Sequence, residues 1–332
     1  MYNFKPDVYA VKHKEKDVID NSSSGGLFTA LTDYYLNEGN AIASCVYNYE
    51  EDKVEFLVYE DVDTRNKARG SKYIQASIGD GYKKIYSWLQ ENSNKKIIVF
   101  GTGCQMAGLI NYLNFKKIRD RVVVVDIICH GAVSPGLWNK YLNYKNIKGK
   151  IDFLTFKDKR NGWHSPTAFA MVANEEVDIK EFTEFFYGDW AIRESCFKCK
   201  FTRIDRCSDI TIGDFWGIEG SNPFFVDFKG VSIALIHSNV GKELFEKIKC
   251  NVECARSSIK DCFQPRLIAP TVKPKKQKEF WDDLNNNGIE FCIKKYNRSN
   301  FKITKFENFK KRIILKIKKI IIINKKYNNK DF

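Results

Sequence analysis

Two apolar runs dominate the pattern of the chain. KKIIVFG closes at Gly101, and RVVVVDII closes just before Cys129. Short aliphatic runs bounded by turn residues predict buried strands. Between them CQMAGLINYLNF carries apolar residues at helical spacing and opens at Cys104. Strand, helix and strand in about 33 residues predict a βαβ unit with parallel strands. If those strands are neighbours, Cys104 and Cys129 both follow carboxyl ends and share one sheet edge. In open α/β sheets that edge is where ligands bind.

The same reading extends outward. LFTALTDYYLNEG, entered from NSSSGG at residues 21–26, predicts a capped helix. AIASCVYN and KVEFLVYE predict the two strands of a hairpin. RGSKYIQ at residues 69–75 precedes a helix near residues 78–90. SPGLWNKYLNYKN predicts a helix with Ser134 as cap and Pro135 in its first turn. IDFLTFKDK and TAFAMVA predict strands around a turn at Gly162 and Trp163. VSIALIHS predicts a strand and GKELFEKIK an amphipathic helix. Residues 193–219 predict a Cys- and Gly-rich functional loop, in which Asp209 and Asp214 flank a turn. Pro265, Pro270 and Pro274 predict an exit from the compact body. The expected class is α/β: a mixed or mostly parallel sheet with flanking helices, a Cys-rich loop insertion and a basic amphipathic C-terminal helix. The expected regions are 1–95, 96–285 and a basic tail, 286–332.

Composition narrows the class. The 332 residues are 43% hydrophobic and 29% charged, as in a soluble globular protein. No apolar run approaches the roughly 20 residues of a membrane span. No secretion signal core is visible near Met1, so a cytoplasmic address is expected. The net charge of +14 is concentrated: residues 301–332 hold eleven Lys/Arg against Glu307 and Asp331, while residues 1–264 are near neutral. A general nucleic-acid surface is therefore not expected.

Ten cysteines in such a chain suggest metal or redox chemistry plus some buried thiols. Cys196 and Cys199 form a CxxC. By itself it suits zinc, an iron–sulfur cluster or a redox disulfide. No second CxxC completes a zinc ribbon, and the residues that follow do not open a thioredoxin-type helix. With Cys104 and Cys129 it makes the four thiolates that a [4Fe–4S] cluster needs. A helix N-terminus at Cys104 would lower that thiol's pKa and favour ligation. One structural zinc, or two unrelated thiol pairs, uses the same residues. The loop at residues 22–26 suits an anion at a helix N-terminus, or is an ordinary cap. Arg69 and Lys72 add cations that suit a pyrophosphate. Gly101 and Gly103 suit close ligand approach. His130 suits a proton shuttle or a capping role. His13, His164 and His237 read as structural. Neither GxSxG nor a P-loop is present.

Six motifs occur in order: SSSGGLFTAL, RGSKYIQASIGD, GTGCQMAGL, VDIICHGAVSPGLW, SCFKCKF and SDITIGDFWGIE. Together, over residues 8–285, they resemble the coenzyme F420 hydrogenase/dehydrogenase beta subunit family. The resemblance implies an iron–sulfur flavoprotein oxidoreductase that passes electrons between a [4Fe–4S] cluster, FAD and a small-molecule or F420-like substrate. It implies cluster ligands at Cys104, Cys129, Cys196 and Cys199. It implies flavin contacts at Ser23, Ser24, Gly25, Gly26, Lys72, Tyr73, Gln75, Thr102 and Gly103, with His130 as the catalytic candidate. The sequence lacks the N-terminal ferredoxin-like cysteine segment of many relatives, so the implied electron donor is a separate protein such as ferredoxin, or a reduced flavin or deazaflavin. Gly103 and Cys207 stand where relatives often have Pro, which makes Cys207 a spare ligand candidate. Stand-alone bacterial relatives near polysaccharide-biosynthesis genes suggest a small-molecule or glycan-linked substrate. The competing reading is a zinc-containing, non-catalytic protein that recruits partners or a membrane.

The tail places Phe306, Phe309, Ile313, Ile317 and Ile320 on one helical stripe among lysines. Such a helix suits an anionic membrane or an acidic partner. Peripheral contact at the inner face of the membrane through residues 301–320 is the expectation.

Overall fold

The computed structural model describes residues 5–296. Eleven strands form among them: β1 Asp7–His13, β2 Ala41–Asn48, β3 Lys53–Tyr59, β4 Ile97–Thr102, β5 Val122–Ile127, β6 Phe153–Asp158, β7 Thr167–Val172, β8 Glu175–Asp178, β9 Ile210–Asp214, β10 Ser232–Ile236 and β11 Val252–Ser257. Eight make one mixed sheet in the order β11-β1-β10-β9-β5-β4-β2-β3. Its centre is parallel: β2 pairs with β4, β4 with β5 and β5 with β9. The outer pairs are antiparallel. β6, β7 and β8 form a separate three-stranded sheet.

The central strands β4 and β5 are almost wholly apolar, with Asp126 the buried exception, because both faces are covered. Ile98, Phe100, Val123 and Val125 face one layer, which includes Leu27, Leu31 and Phe245. Their helices are Leu27–Asn37 and Asn239–Ile248. Ile97, Val99, Val122 and Val124 face the other layer, with Ile85, Met106 and Leu109 from helices Gly81–Glu91 and Gly103–Phe115. The β4–helix–β5 unit is as the apolar runs predict, and its two strands are hydrogen-bonded neighbours. The Ser134 side chain caps helix Pro135–Lys145 by accepting from the Gly136 N–H.

Two expectations are corrected. ITIGD is not a turn but β9, hydrogen-bonded on both sides, with Asp209 just before it and Asp214 its last residue. The chain also does not leave the body at Pro274. Helix Gln277–Tyr296, broken by a kink at Gly288 (φ 80°), returns and buries Phe280, Leu284, Cys292, Ile293 and Tyr296 in a core shared with Trp138, Tyr141 and Phe182. Phe280 meets Phe185 at 5.2 Å between ring centroids. Phe280→Ala should therefore cost about 3–5 kcal/mol, the usual loss for emptying a large core site. Denaturant unfolding checks this, and a loss under about 1 kcal/mol would mean the helix is a detachable appendage. The basic stripe of residues 301–320 lies outside the described residues. Among the described ones no helix is long and apolar enough to cross a membrane.

Candidate redox site at the carboxyl edge of the sheet

β4 and β5 deliver Cys104 and Cys129 to one edge. Thr102 ends β4 and donates its N–H to Gln105 Oε1 at 3.2 Å, which fixes the first helical turn. Thr102 Oγ1 lies 3.2 Å from Cys104 Sγ, and Cys104 is exposed. Gly103 is buried. A Cβ there would come within 2.9 Å of Phe201 Cβ and 3.1 Å of Asp126 Oδ2, so the glycine lets the helix start press against the loop that follows the CxxC. Cys129 Sγ sits 3.7 Å from the Gly131 carbonyl.

The CxxC joins this edge through backbone bonds. Val133 bridges Ile74 on one side and Ile192 on the other. Gln75 N–H donates to the Val133 carbonyl at 2.9 Å, Val133 N–H to the Tyr73 carbonyl at 3.0 Å, and Arg193 N–H to the Ala132 carbonyl at 3.1 Å. Three segments far apart in sequence thus form one ladder beside Cys129. Cys196 follows on a short 3-10 turn, Glu194–Lys198, and Cys199 is the extended residue that ends it. Burial first, then the neighbouring Cys196, Cys104 and Cys199 thiols, push the Cys129 thiol up to about 12. Burial likewise raises Cys196. Cys207 is exposed, and its charged neighbours are Asp126, Arg206 and Arg119 rather than the other thiols. Among the described residues no three His, Cys, Asp or Glu are spaced to hold a single metal ion.

The loop before helix Leu27–Asn37 lies on the β1 and β10 side of the same sheet. A Cβ on Gly25 would fall 2.3 Å from the Val11 carbonyl oxygen and 2.7 Å from Ser232 N, so only glycine seats the loop on these strands. Gly26 takes φ 87° as N-cap. Ser24 Oγ donates to the Val231 carbonyl at 2.8 Å. Ser23 Oγ accepts from Ser71 N–H at 2.8 Å, which brings the Arg69–Lys72 region to this loop.

Three cations touch this loop, the segment it holds or the helix that follows, none with a carboxylate in ion-pair range among the described residues. Arg69 Nε donates to Thr29 Oγ1 at 3.1 Å. Lys72 Nζ donates to the carbonyls of Ala68 and Arg69, both at 2.9 Å. Lys159 Nζ donates to the carbonyls of Ile19 and Ser24, both at 2.8 Å. Burial lowers Lys72 to about 8. Burial, with Lys157 beside it, lowers Lys159 to about 7. Uncompensated buried cations are costly, and an anion removes the cost. Lys159 is not legible in the sequence as a site residue, because it meets Ser24 across 135 positions.

Between loop and thiols, Tyr73 stacks on Phe186 at 4.1 Å and an interplanar angle of 9°, and its hydroxyl meets that of Tyr187 at 2.6 Å. Gln75 Oε1 is buried without a hydrogen-bond partner among the described residues. His130 Nε2 lies 2.7 Å from Asp189 Oδ1, and its ring centroid is 5.0 Å from that of Phe186. Asp189, at φ 67°, is a partner the sequence does not reveal. Asp209 and Asp214 have separate partners. Asp209 takes Arg119 Nη2 and the Val124 N–H, each at 2.8 Å, whereas Asp214 takes Lys157 Nζ at 2.6 Å and Trp163 Nε1 at 2.8 Å.

No curated protein matches the chain. The fold resembles a chain of the xenon-derivatised F420-reducing [NiFe] hydrogenase complex from Methanosarcina barkeri, with a TM-score of 0.51 and 19% identity over 89% of this chain and 91% of that one. At that identity the likeness speaks for the fold alone. The family model for the C terminus of the coenzyme F420 hydrogenase/dehydrogenase beta subunit matches residues 94–261, which span β4 through β11 and all four clustered cysteines. The chain therefore belongs to the coenzyme F420 hydrogenase/dehydrogenase beta subunit family.

Proposed function

We propose that this chain is an iron–sulfur flavoprotein oxidoreductase. Family membership carries a redox, electron-transfer role; the cofactors, substrate and residue roles are our reading. The observation that carries it is the gathering of the Cys104, Cys129, Cys196 and Cys199 thiols at one sheet edge. The desolvated thiols of Cys129 and Cys196 resist ionising alone, and cluster irons would supply the positive charge that makes them thiolates. The donor set thus fits a [4Fe–4S] cluster, and the loop of Ser23, Ser24, Gly25 and Gly26 with Arg69, Lys72 and Lys159 fits the diphosphate of FAD. A bound cluster and flavin supply single-electron and hydride chemistry respectively.

The chain's own residues do the rest. The Tyr73–Phe186 stack gives a rigid apolar wall, and Gln75 Oε1 offers an unused acceptor beside it. Asp189 holds the His130 ring, so a proton can be kept at, or released from, one defined nitrogen. Thr102 and Gly103 act through position: the first fixes the helix start and the second lets it approach Asp126. A ferredoxin-like protein or reduced deazaflavin is the proposed donor, and a small-molecule or glycan-linked compound the proposed substrate.

The test is anaerobic purification followed by assays of iron, sulfide, zinc and released flavin on one sample. About four irons and one flavin per chain are expected. Zinc with no flavin overturns the reading.

The loop makes its own prediction. ADP-ribose carries a diphosphate diester whose charge is constant near neutrality. Lys159 titrates near 7, facing Lys157, Asp214, Asp20 and Lys229, and Lys72 near 8, facing Cys45. Raising the pH from about 6.5 to about 8.5 removes most of both positive charges. Affinity should then fall at least about tenfold, since each charge-assisted hydrogen bond contributes about 1.5–3 kcal/mol. Calorimetric titration at both pH values checks this, and a flat profile would remove the lysines from the site.

A further inference from the structure

The segments that carry the CxxC and its neighbours also hold an unusual share of the charge. Residues 193–206 and 264–278 together contain ten Lys/Arg against only Glu194 and Asp205, whereas the rest of residues 5–296 is net acidic. The two segments meet at the Lys273–Glu194 ion pair, 2.7 Å. They flank the Cys129 region, because Thr271 Oγ1 donates to the His130 carbonyl at 2.7 Å and Arg193 N–H to that of Ala132 at 3.1 Å. Arg206, Arg203 and Lys273 have carboxylate partners. Arg193, Lys198, Lys200 and Lys275 are exposed, with no carboxylate in ion-pair range among the described residues. Val272 and Ile127 stand among them 77% and 38% exposed.

We propose that this face docks a small acidic electron-carrier protein. Cations without internal partners around exposed apolar side chains have the anatomy of a transient, electrostatically steered interface. Nucleic acid would recognise the charge but make no use of Val272 and Ile127 beside the thiol edge. The redox identity of the partner rests on the proposed function; the docking face itself does not.

The test uses the full chain, purified anaerobically, and a small acidic [2Fe–2S] ferredoxin as the probe. Affinity is measured by calorimetry at about 20 mM and about 200 mM salt, which changes the screening length several-fold. Wild type should bind and weaken with salt. K198E/K200E should lose at least about tenfold in affinity at low salt. K275E/K276E touches no thiol segment and should lose a similar factor, so the proposal survives misfolding of the first variant. K242E/K247E, on helix Asn239–Ile248, should bind as wild type. Equal losses in all three variants, or no loss in either of the first two, would overturn the proposal. So would failure of wild type to bind ferredoxin while it holds phosphatidylserine vesicles through the same lysines. Iron is assayed on the same samples: iron-free wild type that still docks through these lysines would sink the cluster reading and leave the interface standing.

Discussion

Cys129→Ala, purified without oxygen, should keep its fold and lose most of its iron and brown absorbance. Cys129 is the best place to cut because burial raises its thiol and it feels the other three. With it gone, three cysteines remain for a cluster that needs four ligands. The fold should tolerate the change, since the edge around Cys129 is held by backbone bonds at Val133 and Ile128 rather than by the thiol. Circular dichroism and iron analysis check both halves. Cys207→Ala, which alters the exposed thiol beside Asp126, should retain full iron. Full iron in Cys129→Ala, or its loss in Cys207→Ala alone, would replace the ligand set.

The second large effect belongs to a pair that touches no proposed cofactor. The side chains of Asp126 and Arg206 are only 2% and 3% exposed and meet at 2.8 Å. Asp126 Oδ1 also accepts from Ser208 Oγ at 2.9 Å and Thr211 Oγ1 at 2.5 Å. Asp126→Ala strands a buried guanidinium and should cost about 3–5 kcal/mol. The double variant Asp126→Asn/Arg206→Met removes both charges and should be markedly more stable than the single one. Denaturant midpoints of the set measure the coupling. A single variant that loses less than about 1 kcal/mol would show that water reaches the pair. Because Gly103 packs on Asp126 Oδ2 and Arg206 Nη1, the single variant should also lower iron content through a displaced Cys104.

The legible parts of this protein are those with a local signature. The runs at β4 and β5 are apolar at their buried positions save Asp126, so strand, direction and shared edge all follow from them. The CxxC is legible for the same reason. β1 and β11 are not, because DVYAVKH and VECARS are short and interrupted by charge, and become strands only by pairing with each other and with β10. Helix Gln277–Tyr296 is hidden by the prolines before it, and its burial depends on Trp138 and Phe182, far away in sequence. Site partners are hidden likewise. Asp189 lies 59 positions from His130, and Arg206 lies 80 from Asp126. No spacing rule reaches across such distances. The family's motifs reach the four thiols and the loop, but not Lys159 or Asp189, which act through tertiary contact alone.

The Val133 ladder has a thermodynamic consequence. Residues 73–75, 132–133 and 192–193 share one set of backbone bonds, so none of the three segments can fray without releasing the others. The edge opens and closes as a single cooperative unit. A ligand that rests on any one segment prepays the ordering entropy of the other two. Were both ends occupied as proposed, their occupancy would be coupled without direct contact between the occupants, equally in both directions.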